Sequence, residues 1–264
     1  MENINVPYRH SRYIEIMTTR GYKAGQERAG ETRLVMDPDE LRRHEELLVE
    51  MWTKKGLPAE FARVGVVWES PWFSVINQAI FYPGKDGREI ASGHIDVVWY
   101  GEARGEKSVF LLSFTEDGRL LMNRTYRTTI RRWTLECIGT ITGPGENFEK
   151  AVERCAREKL GRQVLVLKPL GNCLDERGVM GAAVPMHAAL VPNAQSHELV
   201  DWEPRDTELL AISEVNEAFR QGKFLKNGEE YLCVDGYTGF ALRQAELQGL
   251  IRPDGSVDMY WFSH

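Results

Sequence analysis

A single amphipathic helix set among β-rich segments is the feature that most restricts how this chain can fold. Residues 142–161, TGPGENFEKAVERCAREKLG, read as a glycine-rich turn running into a helix from about Phe148 to Leu160, with Gly161 as its stop. On either side the hydrophobic period is two rather than 3.6. VGVVWES (64–70), WFSVINQAIFY (72–82) and HIDVVWYGEA (94–103) are strand candidates, separated by turn signals at 83–89 and 102–107. SVFLLSFT-EDG-RLLMNRTY (108–126) reads as a hairpin closed by Asp117-Gly118, and RWTLECIGTI (132–141) as one further strand. After the helix, 164–170 and 178–191 are strands. Residues 211–224 read as a helix capped by Ser213, and 237–251 as the last helix. Hairpins and a central helix give a mixed α+β order with a largely antiparallel or mixed sheet. A dinucleotide-binding G-x-G-x-x-G is absent, because Phe148 stands where the third glycine would be.

The N-terminal part has a different texture. Residues 1 to about 35 are polar with weak periodicity, and they are expected to be ordered only against a partner surface. MDPDELRRHEELLVEMWTKKG then reads as a helix, with Asp37 as N-cap, Pro38 at the first helical position and Gly56 as the stop. Leu41, Leu47, Leu48, Met51 and Trp52 form its apolar stripe, a pattern that means core packing.

Charge and cysteine usage exclude several function classes. A net charge of −6 over 264 residues argues against a general nucleic-acid partner. The basic stretch RTTIRRW (127–133) can still receive a small anion. Cys137, Cys155, Cys173 and Cys233 form no C-x-x-C pair, so reduced thiols and a cytoplasmic location are expected. The first residues lack the apolar core of a signal peptide, and no run approaches 18 apolar residues, so no membrane partner is expected. His94, His187 and His197 show no ligand spacing, and no G-x-S-x-G is present.

The segment Thr140–Arg162 resembles the box of the Nudix superfamily, G-x5-E-x7-R-E-U-x-E-E-x-G-U, where U is a bulky aliphatic. Without gaps, Glu146, Arg154, Glu158 and Gly161 fall on four of its anchors, while Thr140, Ala156 and Arg162 depart from it. LMNRTYRTTIRRWTLECIG is similar to the segment preceding the box in ADP-ribose pyrophosphatases, with Arg127 and Glu136 matching. The C-terminal helices resemble the same subfamily, with Asp235 and Thr238 in a D-x-x-T-like segment. The resemblance covers about Val64 to Leu250.

This resemblance implies an α/β/α sandwich around a mixed sheet over 106–264, preceded by a small antiparallel β subdomain (64–105) and an N-terminal extension with one helix (1–63). It also implies a homodimer through the small subdomain, in keeping with the many aromatics of residues 66–82. The implied chemistry is hydrolysis of a nucleoside diphosphate linked to another moiety, with Mg²⁺ or Mn²⁺.

Hard divalent cations need several carboxylate oxygens converging on one point, and helix positions i, i+3 and i+4 supply such a face. Here the box acids are Cys155, Glu158 and Lys159, so one of three carboxylates is kept. A thiol is a poor ligand for Mg²⁺, and an ammonium repels it. The favoured expectation is therefore a nucleotide-like ligand bound through Arg127, Glu136, Lys159 and Trp133, with metal-dependent hydrolysis weak or lost and no cofactor needed. On this reading, changing Cys155 and Lys159 to Glu restores three carboxylates to one helical face. The alternative is an active hydrolase in which Glu158, Glu146 and Arg154 are catalytic, and a non-standard set of carboxylates around Glu146 and Glu158 holds the metal. A third expectation is a protein-interaction module. Glu198, Glu203 and Glu208 lie in a polar stretch read as a surface loop; the resembled subfamily can draw a catalytic base from the corresponding loop.

Overall fold

The computed structural model describes residues 6–25, 31–70, 73–84, 88–99, 108–128, 130–143, 145–174, 183–195, 198–199 and 204–264. The turn at 102–107, His197 and Glu203 lie outside the described residues. Those up to Trp99 form one compact unit and those from Ser108 onward another. The α+β class is as expected, with a large mixed sheet, a small antiparallel sheet and, among the described residues, five α-helices.

In the first unit, β3 (Phe73–Pro83) is the central strand of a four-stranded antiparallel sheet. β4 (Glu89–Trp99) pairs along its whole length, while β1 (Arg33–Leu34) and β2 (Gly65–Glu69) pair with separate parts of it. α1 (Val6–Thr19) and α2 (Pro38–Lys54) pack into the same core. Tyr13, Ile16 and Met17 of α1 meet Leu41 and Leu48 of α2 and Val66, Ile76, Ala79 and Val98 of the sheet, all essentially inaccessible. The weak apolar period before residue 35 thus conceals a helix whose buried positions include charge. Arg9 binds both Glu45 carboxylate oxygens at 3.1 Å, and Arg20 pairs with Asp96 at 2.6 Å. Gly65 sits at φ +90°, and a Cβ there would lie 2.7 Å from the Arg9 carbonyl oxygen, so only glycine lets α1 approach β2 this closely. Asp37 caps α2 as expected, accepting from Asp39 N and Glu40 N. On its stripe Leu41 and Leu48 are buried, whereas Leu47 is exposed.

The second unit is a nine-stranded mixed sheet with helices on both faces. β5 (Ser108–Thr115) and β6 (Leu120–Arg127) pair at only two positions beside their turn. Beyond these, β7 (Arg132–Glu136) pairs with β6, and β8 (Ile138–Ile141) pairs with β5. The segment read as one strand therefore changes partner at Cys137. That switch is held from the far helix. Cys137 N donates to Thr238 Oγ at 3.0 Å, and Thr238 donates from its own N and Oγ to Asp235, the N-cap of α5 (Gly236–Leu247).

α3 (Phe148–Leu160) covers one face, burying Ala151, Val152, Cys155 and Leu160 against Val109, Leu111, Leu121 and Ile138. Asn147 caps its start and Gly161, at φ 64°, its end. The other face carries α4 (Ile212–Gln221) and α5, packed on Leu112, Met122, Leu135 and Met186. The sheet continues through β9 (Val166–Leu174), β10 (Ala183–Val191, parallel to β5), β11 (Pro204–Leu210), β12 (Lys223–Lys226) and β13 (Glu229–Leu232). Three local expectations change. The residue before α4 is Ala211 rather than Ser213, and its N–H is taken by the Glu214 carboxylate at 2.8 Å. Residues 223–232 form a hairpin turned by Asn227-Gly228, both at positive φ. Part of the polar stretch read as a loop is β11.

Candidate functional site

Alternation along β6 puts Leu121, Asn123, Thr125 and Arg127 on the face that α3 covers. Across the ladder these stand opposite Glu136, Thr134 and Arg132 of β7. A buried polar strip results, with Asn123, Thr125, Thr134 and Glu136 each no more than 6% exposed. Asn123 Nδ2 donates to the Lys159 carbonyl at 3.1 Å, which ties the strip to the last turn of α3. The Asn123 Oδ1 is buried with no donor among the described residues. Glu136 accepts from Arg127 Nε at 3.1 Å, from a second Arg127 nitrogen, and from Thr134 Oγ at 3.1 Å. Burial holds the Glu136 carboxyl above its ordinary pKa, and the Arg127 charge opposes that rise. Of the expected ligand-contacting residues, Arg127 and Glu136 thus meet each other, and Lys159 lies half-buried at the end of α3. Trp133 points to the opposite face, where it packs edge-on against Tyr126 and Tyr231 at 5.4 and 6.4 Å.

The box residues are also brought together, though around an arginine. Arg154 Nε reaches Glu146 Oε1 at 3.0 Å, and its terminal nitrogens reach Glu146 Oε2 at 2.9 Å, the Ile141 carbonyl at 2.9 Å and Glu158 at 3.4 Å. Glu146 Oε2 also accepts from Gly143 N at 2.8 Å. These donors, the Arg154 guanidinium first, pull the Glu146 carboxyl down to about 2. The arrangement fixes the glycine-rich turn onto the helix.

It does not fit a hard divalent cation. Glu146 and Glu158 both already face a cation, and Lys159 adds another. Cys155 is fully buried among Val109, Leu111, Leu121 and Ile138. Helical spacing correctly puts residues 155 and 159 on neighbouring turns of one side, but the sheet covers that side at 155, so a Glu there would enter apolar packing. Glu149 and Glu153 are exposed, and Glu153 leans toward Val164 N at 3.5 Å. Among the described residues no three His, Cys, Asp or Glu side chains converge as a metal site would require.

Glu208, expected in a surface loop, is 4% exposed on β11. It pairs with Arg124 at 3.0 Å and with Lys226, while Arg124 also reaches Asp206 and the Tyr231 hydroxyl. A carboxylate held between two cations on the face away from α3 is a structural ion pair and not a base for that site. Glu198 is exposed. Sequence reading missed the roles of Asn123 and Arg124. The signal was there, a polar residue at alternate positions of an apolar strand, although its partners are remote in the chain.

No protein-family model matches the chain, and no curated protein matches it. Among solved structures, one described as an ADP compounds hydrolase is similar at 16% identity and a TM-score of 0.49, over 69% of this chain and 89% of that one. That likeness concerns backbone arrangement and assigns no chemistry. No helix among the described residues is long and apolar enough to cross a membrane.

Proposed function

We propose that this chain is a Nudix-type protein that binds a nucleoside diphosphate-linked, ADP-ribose-like ligand on the α3 side of its large sheet, with metal-dependent hydrolysis weak or lost. The observation that carries the reading is Arg154, which engages both Glu146 and Glu158 while the Cys155 side chain lies wholly within the core. Carboxylates committed to a guanidinium offer a cation little, and prising them away leaves Arg154 uncompensated. The diphosphate charge is met instead by protein cations, Lys159 at the helix end and Arg127 at the rim. Asn123, whose Oδ1 has no donor among the described residues, provides an acceptor for a hydroxyl group of the ligand.

The test is a screen of ADP-ribose and other nucleoside diphosphate compounds, read as thermal shift and as product release, with and without Mg²⁺ or Mn²⁺. Binding without turnover supports the proposal. Brisk metal-dependent turnover replaces it with an active hydrolase working through Glu146, Glu158 and Arg154. Silence in both readouts moves the weight to an interaction module.

A homodimer belongs to the same proposal. Trp68 and Ile95, exposed at 43% and 46%, stand with half-buried Phe73 and Val75 on one end of the small sheet, an apolar patch suited to a second copy. Sedimentation showing only monomer at micromolar concentration would remove this part.

A further inference from the structure

We propose that Glu136 is a built-in competitor for the ligand's anionic group: it occupies the Arg127 guanidinium, and a diphosphate must displace it to bind. The inference rests on the reading of the α3 side as a diphosphate pocket. It reverses the part expected of Glu136, from a residue that only helps hold the ligand to one that restrains its binding.

The geometry is asymmetric in a way that suits competition. The Arg127 side chain is 44% exposed, while that of Glu136 is 8% exposed and lies behind it. An incoming anion therefore reaches the guanidinium from solvent without passing the carboxylate. Both the Nε and a terminal nitrogen of Arg127 are turned inward onto Glu136, so the paired donors that match a phosphate are already engaged. The surrounding turn is cationic. Arg131 stands at φ 52° beside Arg132, and Arg132 donates to Glu230 at 3.2 Å. Among the described residues, the groups shown to act on Glu136 or to stand opposite it are Arg127 and Asn123 from β6, Thr134 from its own strand, and Asp235 at the start of α5. Of these Arg127 alone is cationic, and Asp235 adds a second negative charge that works against a charged Glu136. An anion taking Arg127 would leave the buried Glu136 without its cation and with the negative charge of Asp235 still acting on it, and that penalty is what the competition consists of.

Removing the charge on Glu136 removes the competitor, and two independent manipulations do so. Glu136→Gln keeps the shape. Lowering the pH protonates a carboxyl that burial already holds above its ordinary pKa, so affinity rises as the pH falls toward and through that raised value. ADP-ribose suits the measurement, because its diphosphate diester keeps two negative charges across the range used and only the protein titrates.

The experiment is calorimetric titration of ADP-ribose, without divalent metal, into the wild type, Glu136→Gln and Arg127→Gln at pH 8 and pH 5.5. For Glu136→Gln at pH 8 the expected gain in affinity is on the order of tenfold, the worth of one released charge-assisted hydrogen bond. The wild type should tighten at pH 5.5, Glu136→Gln should change little between the two pH values, and Arg127→Gln should bind weakly at both. If Glu136→Gln binds no better than the wild type at pH 8, and the wild type shows no pH dependence that this variant lacks, the competition is overturned while the pocket stands. If none of the three proteins binds at either pH, the diphosphate reading itself fails. The wild-type pH arm keeps the proposal testable should Glu136→Gln fold poorly.

Discussion

Cys155→Glu separates a buried helix position from a lapsed metal ligand. The Cys155 side chain is fully inaccessible and packed among Val109, Leu111, Leu121, Ile138 and Val152. Replacing the thiol by a longer, ionisable group has two costs. Overpacking a close-packed core costs about 1–3 kcal/mol. An unpaired carboxylate in that setting costs on the order of several kcal/mol if charged, and less if it takes up a proton. A total near 4 kcal/mol is expected at pH 7, which for a unit of this size lowers the melting temperature by roughly 10 °C. The pH dependence carries the argument. The new carboxyl has a folded pKa above its unfolded value of about 4.3, so the folded state holds the extra proton. The charge-related part of the penalty is therefore fully present at high pH. It fades as the pH falls through the raised pKa toward the unfolded one, leaving the overpacking part. Denaturant melts of wild type and variant at pH 8, 7, 6 and 5 measure both parts. A loss below about 1 kcal/mol that is flat with pH would mean that position 155 opens onto a polar cavity. Stabilisation of Cys155→Glu with Lys159→Glu by Mn²⁺, seen as a higher melting temperature than either single variant gives, would refute the core placement outright.

Three further outcomes follow from other contacts. Arg124→Ala leaves Glu208 buried with Lys226 as its remaining partner, and should cost about 3 kcal/mol by urea melts, more than Lys226→Ala at the exposed end of the same network. Thr238→Val removes the acceptor for Cys137 N at a fully buried position and should cost about 1–3 kcal/mol; protection of the Cys137 amide in hydrogen exchange should fall with it. Glu146→Gln should destabilise at pH 7 and approach the wild type below pH 3, because a carboxyl depressed to about 2 contributes stability above its unfolded pKa and loses it as the pH falls through the folded one.

What the sequence determined by itself was local. Phe148–Leu160 could be placed as a helix because its apolar spacing and Gly161 act within a few residues, and Gly161 indeed takes the left-handed conformation there. Asp37 as a cap and Asp117-Gly118 as a turn were legible for the same reason. Pairing was not legible. The run from Arg132 to Ile141 looks like one strand because period two says nothing about partners, and Thr238, about a hundred residues on, holds the point at which it changes from β6 to β5. Polar strings misled in the opposite direction. β11 read as a surface loop, and the segment of α1 as ordered only against a partner surface, because Arg9, Arg20 just beyond α1, and Glu208 are buried as ion pairs whose mates Glu45, Asp96 and Arg124 are remote in the chain. The same limit governed the site. Helical spacing fixed which residues lie along the Cys155 side of α3, but only packing against β5, β6 and β8 decided that this side is core at Cys155 and rim at Lys159. A side chain's chemistry depends on what covers it, and covering is set by contacts that the local period does not encode.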